Sequence, residues 1–170
     1  MNCPFCGFEN LPGADHCESC GHGLANIDPP SAASCALETA IQSAKLTDVG
    51  IVGPLVVSPD DTVAKAVNIM RRRRRGSVCV VVGGKLAGIF TEHDLIHRIE
   101  PGADLATIVM KDVMTPSPYG YATESTVAYA LNGMAIWENR HLPIVSPEGM
   151  LLGSVSVREI LRFLKKRAEV

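Results

Sequence analysis

The sequence predicts an α+β fold in which a strand–helix–strand–strand–helix unit occurs twice, behind a small cysteine-rich segment. The chain from Lys45 onward repeats itself when it is shifted by 64 positions, and each copy alternates between β-branched runs and apolar residues at helical spacing. The N-terminal segment differs in composition, because it contains four cysteines and few aliphatic side chains. We therefore predict four parts: a cysteine-rich segment, a linker with a short helix, a first repeat and a second repeat, at 1–23, 24–44, 45–105 and 106–170.

The composition is that of an ordinary globular protein. The 170 residues are 46% hydrophobic and 20% charged, and the net charge of −2 does not point to nucleic acid or to a membrane surface. No apolar run approaches the roughly 20 residues of a membrane span, and the N-terminus lacks the basic and apolar regions of a signal peptide. We expect a cytoplasmic protein without a membrane partner, whose six cysteines are reduced.

The cysteine-rich segment has the spacing of a metal site. Two C-x2-C pairs stand ten residues apart, formed by Cys3, Cys6, Cys17 and Cys20. Each pair is followed by a glycine, Gly7 or Gly21, which permits the positive φ that turns backbone N–H groups toward thiolates. The segment resembles a short zinc ribbon. Because it has no hydrophobic core, it needs a metal to fold, and four thiolates around Zn²⁺ make a closed structural site.

Two other metal or redox sites use the same residues, a dithiol pair and a rubredoxin-like iron site. His16 and His22 adjoin the pairs, but four thiols already complete a coordination sphere. The segment contains no lysine or arginine, which argues against strong binding to a phosphate backbone. A protein partner is therefore the favoured contact of the segment, with nucleic acid as the alternative. Cys35, in the linker, and Cys79, in a predicted buried strand, are not predicted ligands.

The first repeat is predicted element by element. Residues 58–73, "SPDDTVAKAVNIMRRR", form a helix capped by Asp60 or Asp61. "SVCVVV" is a buried strand, and the turn "GGK" returns the chain into a second, antiparallel strand, "LAGIF". "TEHDLIHRIE" is a helix that Thr91 can cap.

The second repeat is a blurred copy of the first. At an offset of 64, Thr62 falls on Thr126. One residue is gained at the turn, so that at an offset of 65 Thr91 falls on Ser156. The position of Asp94 is taken by Glu159, a carboxylate on a longer stem. Neither copy buries much surface alone, so the two are expected to share a core.

Thr91 and Asp94, at a strand-to-helix junction, allow two interpretations. In one they form a capping box, with Thr91 as N-cap and Asp94 at the third helical position. In the other the Thr91 hydroxyl and free backbone N–H groups bind a phosphate, and Asp94 accepts hydrogen bonds from the vicinal hydroxyls of a ribose. The second interpretation indicates a nucleotide.

The repeat as a whole resembles a known family. "GSVCVVVGGKLAGIFTEHDL" and "NRHLPIVSPEGMLLGSVSVREIL", in order and at repeat spacing, are similar to a tandem pair of CBS domains, also called a Bateman module, over about residues 45–168. The resemblance implies two βαββα units that pair through their sheets. It implies clefts that bind adenosine compounds, among them AMP, ADP, ATP, S-adenosylmethionine and dinucleotides. It also implies a disc-like homodimer.

The resemblance assigns ligand contacts residue by residue. It implies that Thr91 contacts phosphate, Asp94 the ribose, and Arg140 or His141 the phosphate. It places strand residues around the base and sugar, with Val57 or Ser58 beside the purine: Ile89, Gly76, Ser77, Val78, Val57 and Ser58. In the second copy Ser156 and Glu159 replace the Thr and Asp, so we expect the first site to be the stronger.

The sequence therefore predicts a regulatory or sensor module that binds an adenosine ligand, and not an enzyme. It contains no P-loop, no G-x-S-x-G motif and no acid/base pair in a motif of known chemistry. The run Arg71–Arg75 has two interpretations, a solvated helix end or a contact to polyphosphate or nucleic acid. The alternative function is accordingly a nucleic-acid-associated or scaffold protein that uses this run and the ribbon, with a vacant nucleotide cleft.

Overall fold

The computed structural model describes residues 2–3, 5–11, 14–24 and 36–168. The helices and strands in chain order are α1 (Ala36–Ser43), α2 (Leu46–Val49), β1 (Val56–Val57), α3 (Val63–Arg73), β2 (Ser77–Val82), β3 (Lys85–Thr91), α4 (Glu92–His97), α5 (Met110–Val113), β4 (Thr115–Pro116), α6 (Val127–Ile136), β5 (His141–Val145), β6 (Leu151–Ser156) and α7 (Val157–Ala168).

The predicted order of elements is confirmed in both repeats. The first reads β1, α3, β2, β3, α4, and the second reads β4, α6, β5, β6, α7. The predicted short helix before the repeats is α1; Cys35 lies outside the described residues. None of the described helices has both the length and the hydropathy needed to cross a membrane.

The cap of α3 differs from the prediction. Thr62, not Asp60 or Asp61, is the N-cap, and its hydroxyl oxygen accepts a hydrogen bond from the Lys65 amide at 3.3 Å. Asp61 instead accepts one from the Ser58 amide at 2.8 Å. Two consecutive acids and a threonine offer three possible caps, and local spacing does not choose among them. The equivalent Thr126 caps α6 in the same way.

The chain forms two compact units, which do not coincide with the two repeats. The first contains the described residues among 1–50, 123–140 and 155–170, and the second contains residues 51–122 and 141–154. In the first unit α1 packs against α6 and α7. The amide of Leu46 donates to the carbonyl of Ser125 at 2.9 Å, which ties the start of α2 to the segment before α6.

The second unit contains a four-stranded sheet of order β1-β2-β3-β4 and a two-stranded sheet of β5 and β6. Strands β2 and β3 are antiparallel, as predicted, and Gly83 and Gly84 form the turn between them with φ of 57° and 79°. A turn with two positive φ values matches the right-handed twist of the strands it joins. Strand β1 runs parallel to β2, and β4 is antiparallel to β3 at the edge.

The two repeats exchange strands within this unit. Strand β4 belongs to the second repeat but pairs with β3 of the first, through Ile89 and Thr115. Conversely, Val52 of the first repeat pairs with Ser154 on β6 of the second. The second repeat therefore adds an edge strand to the sheet of the first, and the first repeat adds a single β-bridge to β6 of the second. This mutual pairing is consistent with copies that are each too small to bury an apolar face alone.

The core of the second unit is formed by strands β1, β2 and β3 together with helices α3 and α5. Its buried residues are Val57, Val63, Ala66, Met70, Val78, Val80, Phe90, Met110 and Val113. Apart from Phe90 they are aliphatic or methionine side chains, as a chain with 5% aromatic residues requires. Burial of each large side chain contributes about 1.5–3 kcal/mol, and this core holds the end of β3 in place.

Candidate functional site

The start of α4 carries the predicted ligand-binding pair. Thr91 ends β3 and caps α4, and its hydroxyl oxygen accepts a hydrogen bond from the Asp94 amide at 3.3 Å. Oδ2 of Asp94 in turn accepts from the Thr91 amide at 2.9 Å and from the Thr91 hydroxyl at 2.8 Å. The pair thus forms the capping box that was one of the two interpretations.

The second carboxylate oxygen of Asp94 is also engaged. Oδ1 accepts from Arg98 Nε at 3.1 Å and from the Thr115 hydroxyl at 3.3 Å. Only 5% of Asp94 is exposed. A buried carboxylate is costly unless it is paired and hydrogen-bonded, and Asp94 meets both conditions. Arg98 and Thr115 were not predicted from the sequence; the i, i+4 spacing of Asp94 and Arg98 was the available signal for the first.

Strand β2 brings further predicted residues beside Thr91. Ser77 is the direct antiparallel partner of Thr91, and Ile89 is the partner of Cys79. The predicted contacts Ser77, Val78, Ile89 and Val57 are all buried. Ser58 is exposed, and its amide and hydroxyl are used in the turn before α3. Val57 and Val78 are also part of the buried core of the second unit.

Gly76 sits where side chains from two other elements converge. A Cβ atom placed on Gly76 would lie 2.8 Å from Glu92 Oε2 and 3.0 Å from His141 Nε2. The Gly76 carbonyl accepts a hydrogen bond from the Glu92 amide at 3.0 Å. The structure therefore brings Gly76, Ser77, Thr91 and His141 into one neighbourhood. Arg140 belongs to the first unit, where its carbonyl accepts from the Val157 amide at 3.0 Å.

The second copy of the motif adopts the same local form. Oε2 of Glu159 accepts from the Ser156 amide at 2.8 Å and from the Ser156 hydroxyl. The longer stem of Glu159 folds back far enough for its carboxylate to make the two bonds that Asp94 makes to Thr91. Both residues are half-buried, whereas Asp94 is buried.

The four cysteines of the N-terminal segment form one cluster. The Sγ atoms of Cys3 and Cys20 lie 3.7 Å apart, those of Cys6 and Cys17 lie 3.5 Å apart, and all four lie within 4.8 Å of one another. A tetrahedral ion with Zn–S bonds of about 2.3 Å requires sulfur–sulfur distances of about 3.8 Å. The donor set therefore fits a tetrahedral metal ion.

The backbone around the cluster has the predicted form. Gly7 and Gly21 have φ of 75° and 69°, and their amides donate to the carbonyls of Cys3 and Cys17 at 2.9 Å and 2.8 Å. Burial raises the pKa of the Cys17 thiol. Hydrogen bonds from the Cys20 amide, the Asn10 side chain and other neighbours outweigh burial and bring the pKa to about 6. A thiolate is the form that binds metal.

The arginine run divides into two parts. Arg71, Arg72, Arg73 and Arg74 are exposed at the end of α3, and Arg74 is the C-cap in the left-handed region with φ of 52°. Arg75 is half-buried, and its guanidinium donates to the Gly53 carbonyl and to the Ser154 hydroxyl, both at 2.6 Å. Arg75 is therefore a structural residue that ties β6 to the segment before β1.

Comparison with known proteins identifies the fold. The family model described as CBS domain matches residues 47–101 and 110–166. An inosine-5'-monophosphate dehydrogenase of Korarchaeum cryptofilum is 34% identical over 106 residues, which are 62% of this chain but only 21% of that protein. An uncharacterized 17.7 kDa protein of Acidianus ambivalens, from the bps2 3' region, is 32% identical over 121 residues, 71% of this chain and 73% of that protein.

Solved structures agree with the family match. The structure of CBSX2 in complex with AMP has a TM-score of 0.63 and 20% identity, and covers 72% of this chain and 97% of that chain. The CBS domain pair of protein MJ0100, in complex with 5'-methylthioadenosine and S-adenosyl-L-methionine, has a TM-score of 0.63 and 18% identity, and covers 70% and 98%. At these identities the likeness shows the fold. The predicted α+β fold is confirmed as that of a CBS pair, and this chain belongs to the CBS domain family.

Proposed function

We propose that the chain is a regulatory module that binds an adenine nucleotide or a related adenosine ligand at the Thr91–Asp94 motif. The observation that carries this proposal is the buried Asp94 carboxylate, held at the start of α4 and beside a strand that begins at Gly76. Two structurally similar CBS proteins bind AMP or S-adenosylmethionine. Their fold, which this chain shares, supports a ligand of that class here.

The proposed roles follow from the chemistry of each group. Asp94 accepts hydrogen bonds from the ribose hydroxyls, and His141 donates to phosphate. The Thr91 hydroxyl also donates to phosphate once it turns away from Asp94 Oδ2, which keeps its hydrogen bond from the Thr91 amide. Ile89 and the backbone of residues 76–78 contact the base, with Val57 or Ser58 beside it and Arg140 adding positive charge. Ser156 and Glu159 form a second, weaker site. We propose binding without catalysis, because the sequence carries no motif of known catalytic chemistry.

Regulation requires that the ligand prefers one of two conformations of the protein. A ligand with equal affinity for both shifts nothing, however tightly it binds. We propose that the ligand stabilises one arrangement of the two repeats in a homodimer, and that a protein partner of the cysteine-rich segment detects that arrangement. We propose that Cys3, Cys6, Cys17 and Cys20 hold a structural Zn²⁺, which organises this segment when bound.

A ligand panel tests the proposal. Zinc-loaded protein is titrated by calorimetry with AMP, ADP, ATP, S-adenosylmethionine and GMP. We expect binding of at least one adenosine compound and none of GMP, and the Asp94→Ala variant should lose that binding while its zinc content is unchanged. Because Asp94 is buried, completes the capping box of α4 and pairs with Arg98, the variant is expected to lose about 1–3 kcal/mol of stability, so affinity and not melting temperature is the readout. Unchanged affinity in Asp94→Ala would show that the site is elsewhere.

The exposed arginines favour a second candidate function. Arg71–Arg74 extend from the end of α3 into solvent, and four guanidinium groups can contact a phosphate backbone. In this alternative the chain associates with nucleic acid and the adenosine site is vacant. Affinity for a labelled RNA or DNA that falls steeply between 50 and 200 mM salt would distinguish it.

A further inference from the structure

We propose that the hydroxyl of Thr115 occupies, in the ligand-free protein, the position on Asp94 that a ribose hydroxyl takes in the complex, and that Arg98 holds Thr115 there. The proposal rests on the proposed function, because it concerns the same carboxylate. In this proposal strand β4, the first strand of the second repeat, is the gate: it must move away from Asp94 before the first nucleotide site can bind a ligand.

The hydrogen bonds of Asp94 define what a ligand must displace. Oδ2 is committed to Thr91 at 2.9 Å and 2.8 Å, so Oδ1 is the oxygen that a ribose would approach. Oδ1 already accepts from Arg98 Nε at 3.1 Å and from Thr115 at 3.3 Å. The Thr115 contact is the longest of these four contacts, and its donor is a neutral hydroxyl. The Arg98 contact is stronger, because its donor is charged. A ribose hydroxyl therefore replaces Thr115 at the lowest cost.

Strand β4 has the properties of a displaceable cover. It is two residues long, lies at the edge of the sheet, and pairs with β3 only at Gly88 and Ile89. The residue opposite Thr115 is Ile89, which is a predicted ligand contact. A Cβ atom on Gly88 would lie 2.4 Å from Met114 Sδ and 3.2 Å from the Thr115 carbonyl oxygen, so the close approach of this segment depends on glycine. Movement of β4 breaks its short ladder with β3 and the hydrogen bond from the Ser117 amide to the Ala87 carbonyl at 3.0 Å, and it withdraws the Thr115 hydroxyl from Asp94.

Arg98 connects the cover to the acid. Besides its ion pair with Asp94, it donates to the carbonyls of Val113 at 3.1 Å and Met114 at 2.8 Å, and to the Thr115 hydroxyl at 2.9 Å. One guanidinium thus binds three consecutive residues of the segment that leads into β4. Arg98 is a positioning residue: it acts on the ligand through Thr115 and Asp94.

The second repeat lacks the equivalent of this gate. Ser154 corresponds to Ile89 at the offset of 65, and its partner is Val52, which therefore takes the place of Thr115; at the same offset Arg98 corresponds to Phe163. Neither Val52 nor Phe163 has a hydrogen-bond donor in its side chain. The gate is therefore specific to the first site, and ligand binding there is coupled to release of the strand that the second repeat contributes to the sheet of the first.

The test compares three threonine variants of the full, zinc-loaded chain. Thr115→Val removes the hydroxyl and keeps the shape, Thr115→Ser keeps the hydroxyl, and Thr107→Val is a control at an exposed threonine that bonds to Asp104. Kd values for AMP, ATP and S-adenosylmethionine are measured by calorimetry. A competing hydrogen bond of ordinary strength corresponds to an affinity gain of about 5-fold on its removal. We expect that gain in Thr115→Val, and less than about 2-fold change in the other two.

The outcomes separate the gate from the proposed function. A gain confined to Thr115→Val, or binding by Thr115→Val alone, supports the gate. Binding by the wild type with no gain in Thr115→Val overturns the gate and leaves the proposed function intact. If no variant binds any of the three compounds, the proposed function fails, and hydrogen exchange of the ligand-free proteins decides the contact. Faster amide exchange at residues 113–117 in Thr115→Val than in Thr115→Ser would then support a stabilising hydrogen bond from Thr115 to Asp94. Equal exchange in the two variants would overturn it.

Discussion

The Nε2 atom of His141 lies 3.0 Å from the point at which a side chain on Gly76 would begin. Gly76 precedes β2 in the first repeat, and His141 opens β5 in the second. The Glu92 carboxylate lies equally near that point, at 2.8 Å. An imidazole and a carboxylate thus share the space that glycine leaves free, next to the residues proposed to bind the ligand. Any side chain at position 76 must displace one or both.

Gly76→Ala is therefore expected to weaken ligand binding more than it weakens the fold. The groups that its methyl would meet are the ends of two side chains, which can rotate away, so we expect a stability loss of about 1 kcal/mol or less. Displacement of His141 removes a proposed phosphate donor, and we expect about 10-fold weaker binding of AMP by calorimetry. Gly53→Ala is the matched control, because a Cβ there has no neighbour within 4 Å. Equal affinities in the two variants would contradict this placement of the ligand.

Arg75 and Arg72 are expected to differ although they belong to one run. Arg75 makes two hydrogen bonds at 2.6 Å, to the Gly53 carbonyl and the Ser154 hydroxyl, whereas Arg72 is exposed at the end of α3. We expect Arg75→Ala to lower the free energy of unfolding by about 1–2 kcal/mol, and Arg72→Ala to change it by less than about 0.5 kcal/mol. Urea unfolding of both variants measures this. A loss in Arg72→Ala as large as that in Arg75→Ala would show that the exposed arginines also support the fold.

The fold was largely predictable because the sequence patterns of its helices, strands and turns are local and occur in both repeats. The β-branched run of β2, the Gly83–Gly84 turn and the capping threonine of α4 each predict an element, and the repeat predicts the same elements again. The strand exchange between repeats was not predictable in this way. Strand β4 has only two residues, too few for a period-2 pattern, and its pairing with β3 joins distant parts of the chain.

The candidate site was predictable only where the sequence carries a motif. The spacing of the four cysteines and that of Thr91 and Asp94 indicate a metal site and a capping or phosphate-binding motif from short stretches of sequence. The structure brings each set together. Thr115 and Glu92 have no such pattern, since their relevance comes from neighbours supplied by the fold.

Cys79 is expected to be unreactive in the folded protein. Burial raises the pKa of its thiol to about 11, although the nearby Arg75 charge lowers it in part. At pH 8 about one thiol in a thousand is then ionised, and the thiolate is the reactive form. We expect iodoacetamide to label Cys79 in urea but not in native protein, as read by peptide mass spectrometry. Rapid labelling of native protein at pH 8 would contradict the burial of β2.

The same shift predicts a loss of stability at alkaline pH. The pKa of the Cys79 thiol in the folded protein lies above that of an unfolded thiol, about 9. Below pH 8 the thiol is protonated in both states, so its ionisation does not change the free energy of unfolding. As the pH rises from 9 to 11, the unfolded thiol ionises first and stability falls. Cys79→Ala should show a shallower decline over this range in urea unfolding than the wild type. Parallel declines would show that other groups cause the alkaline loss.

Removal of one cluster cysteine should abolish metal binding without unfolding the second unit. Cys17 and Cys79 are both 2% exposed, so Cys17→Ala and Cys79→Ala form a pair matched in burial. We expect about one zinc per chain in the wild type and in Cys79→Ala, and none in Cys17→Ala, by elemental analysis. Because the cysteine-rich segment has no aliphatic core, loss of the metal should make its amides exchange rapidly, while those of β2 and β3 stay protected. Iron in place of zinc, or a metal-free wild type with paired disulfides, would instead support one of the two alternative sites. Zinc retained by Cys17→Ala would show that the four thiols do not act as one ligand set.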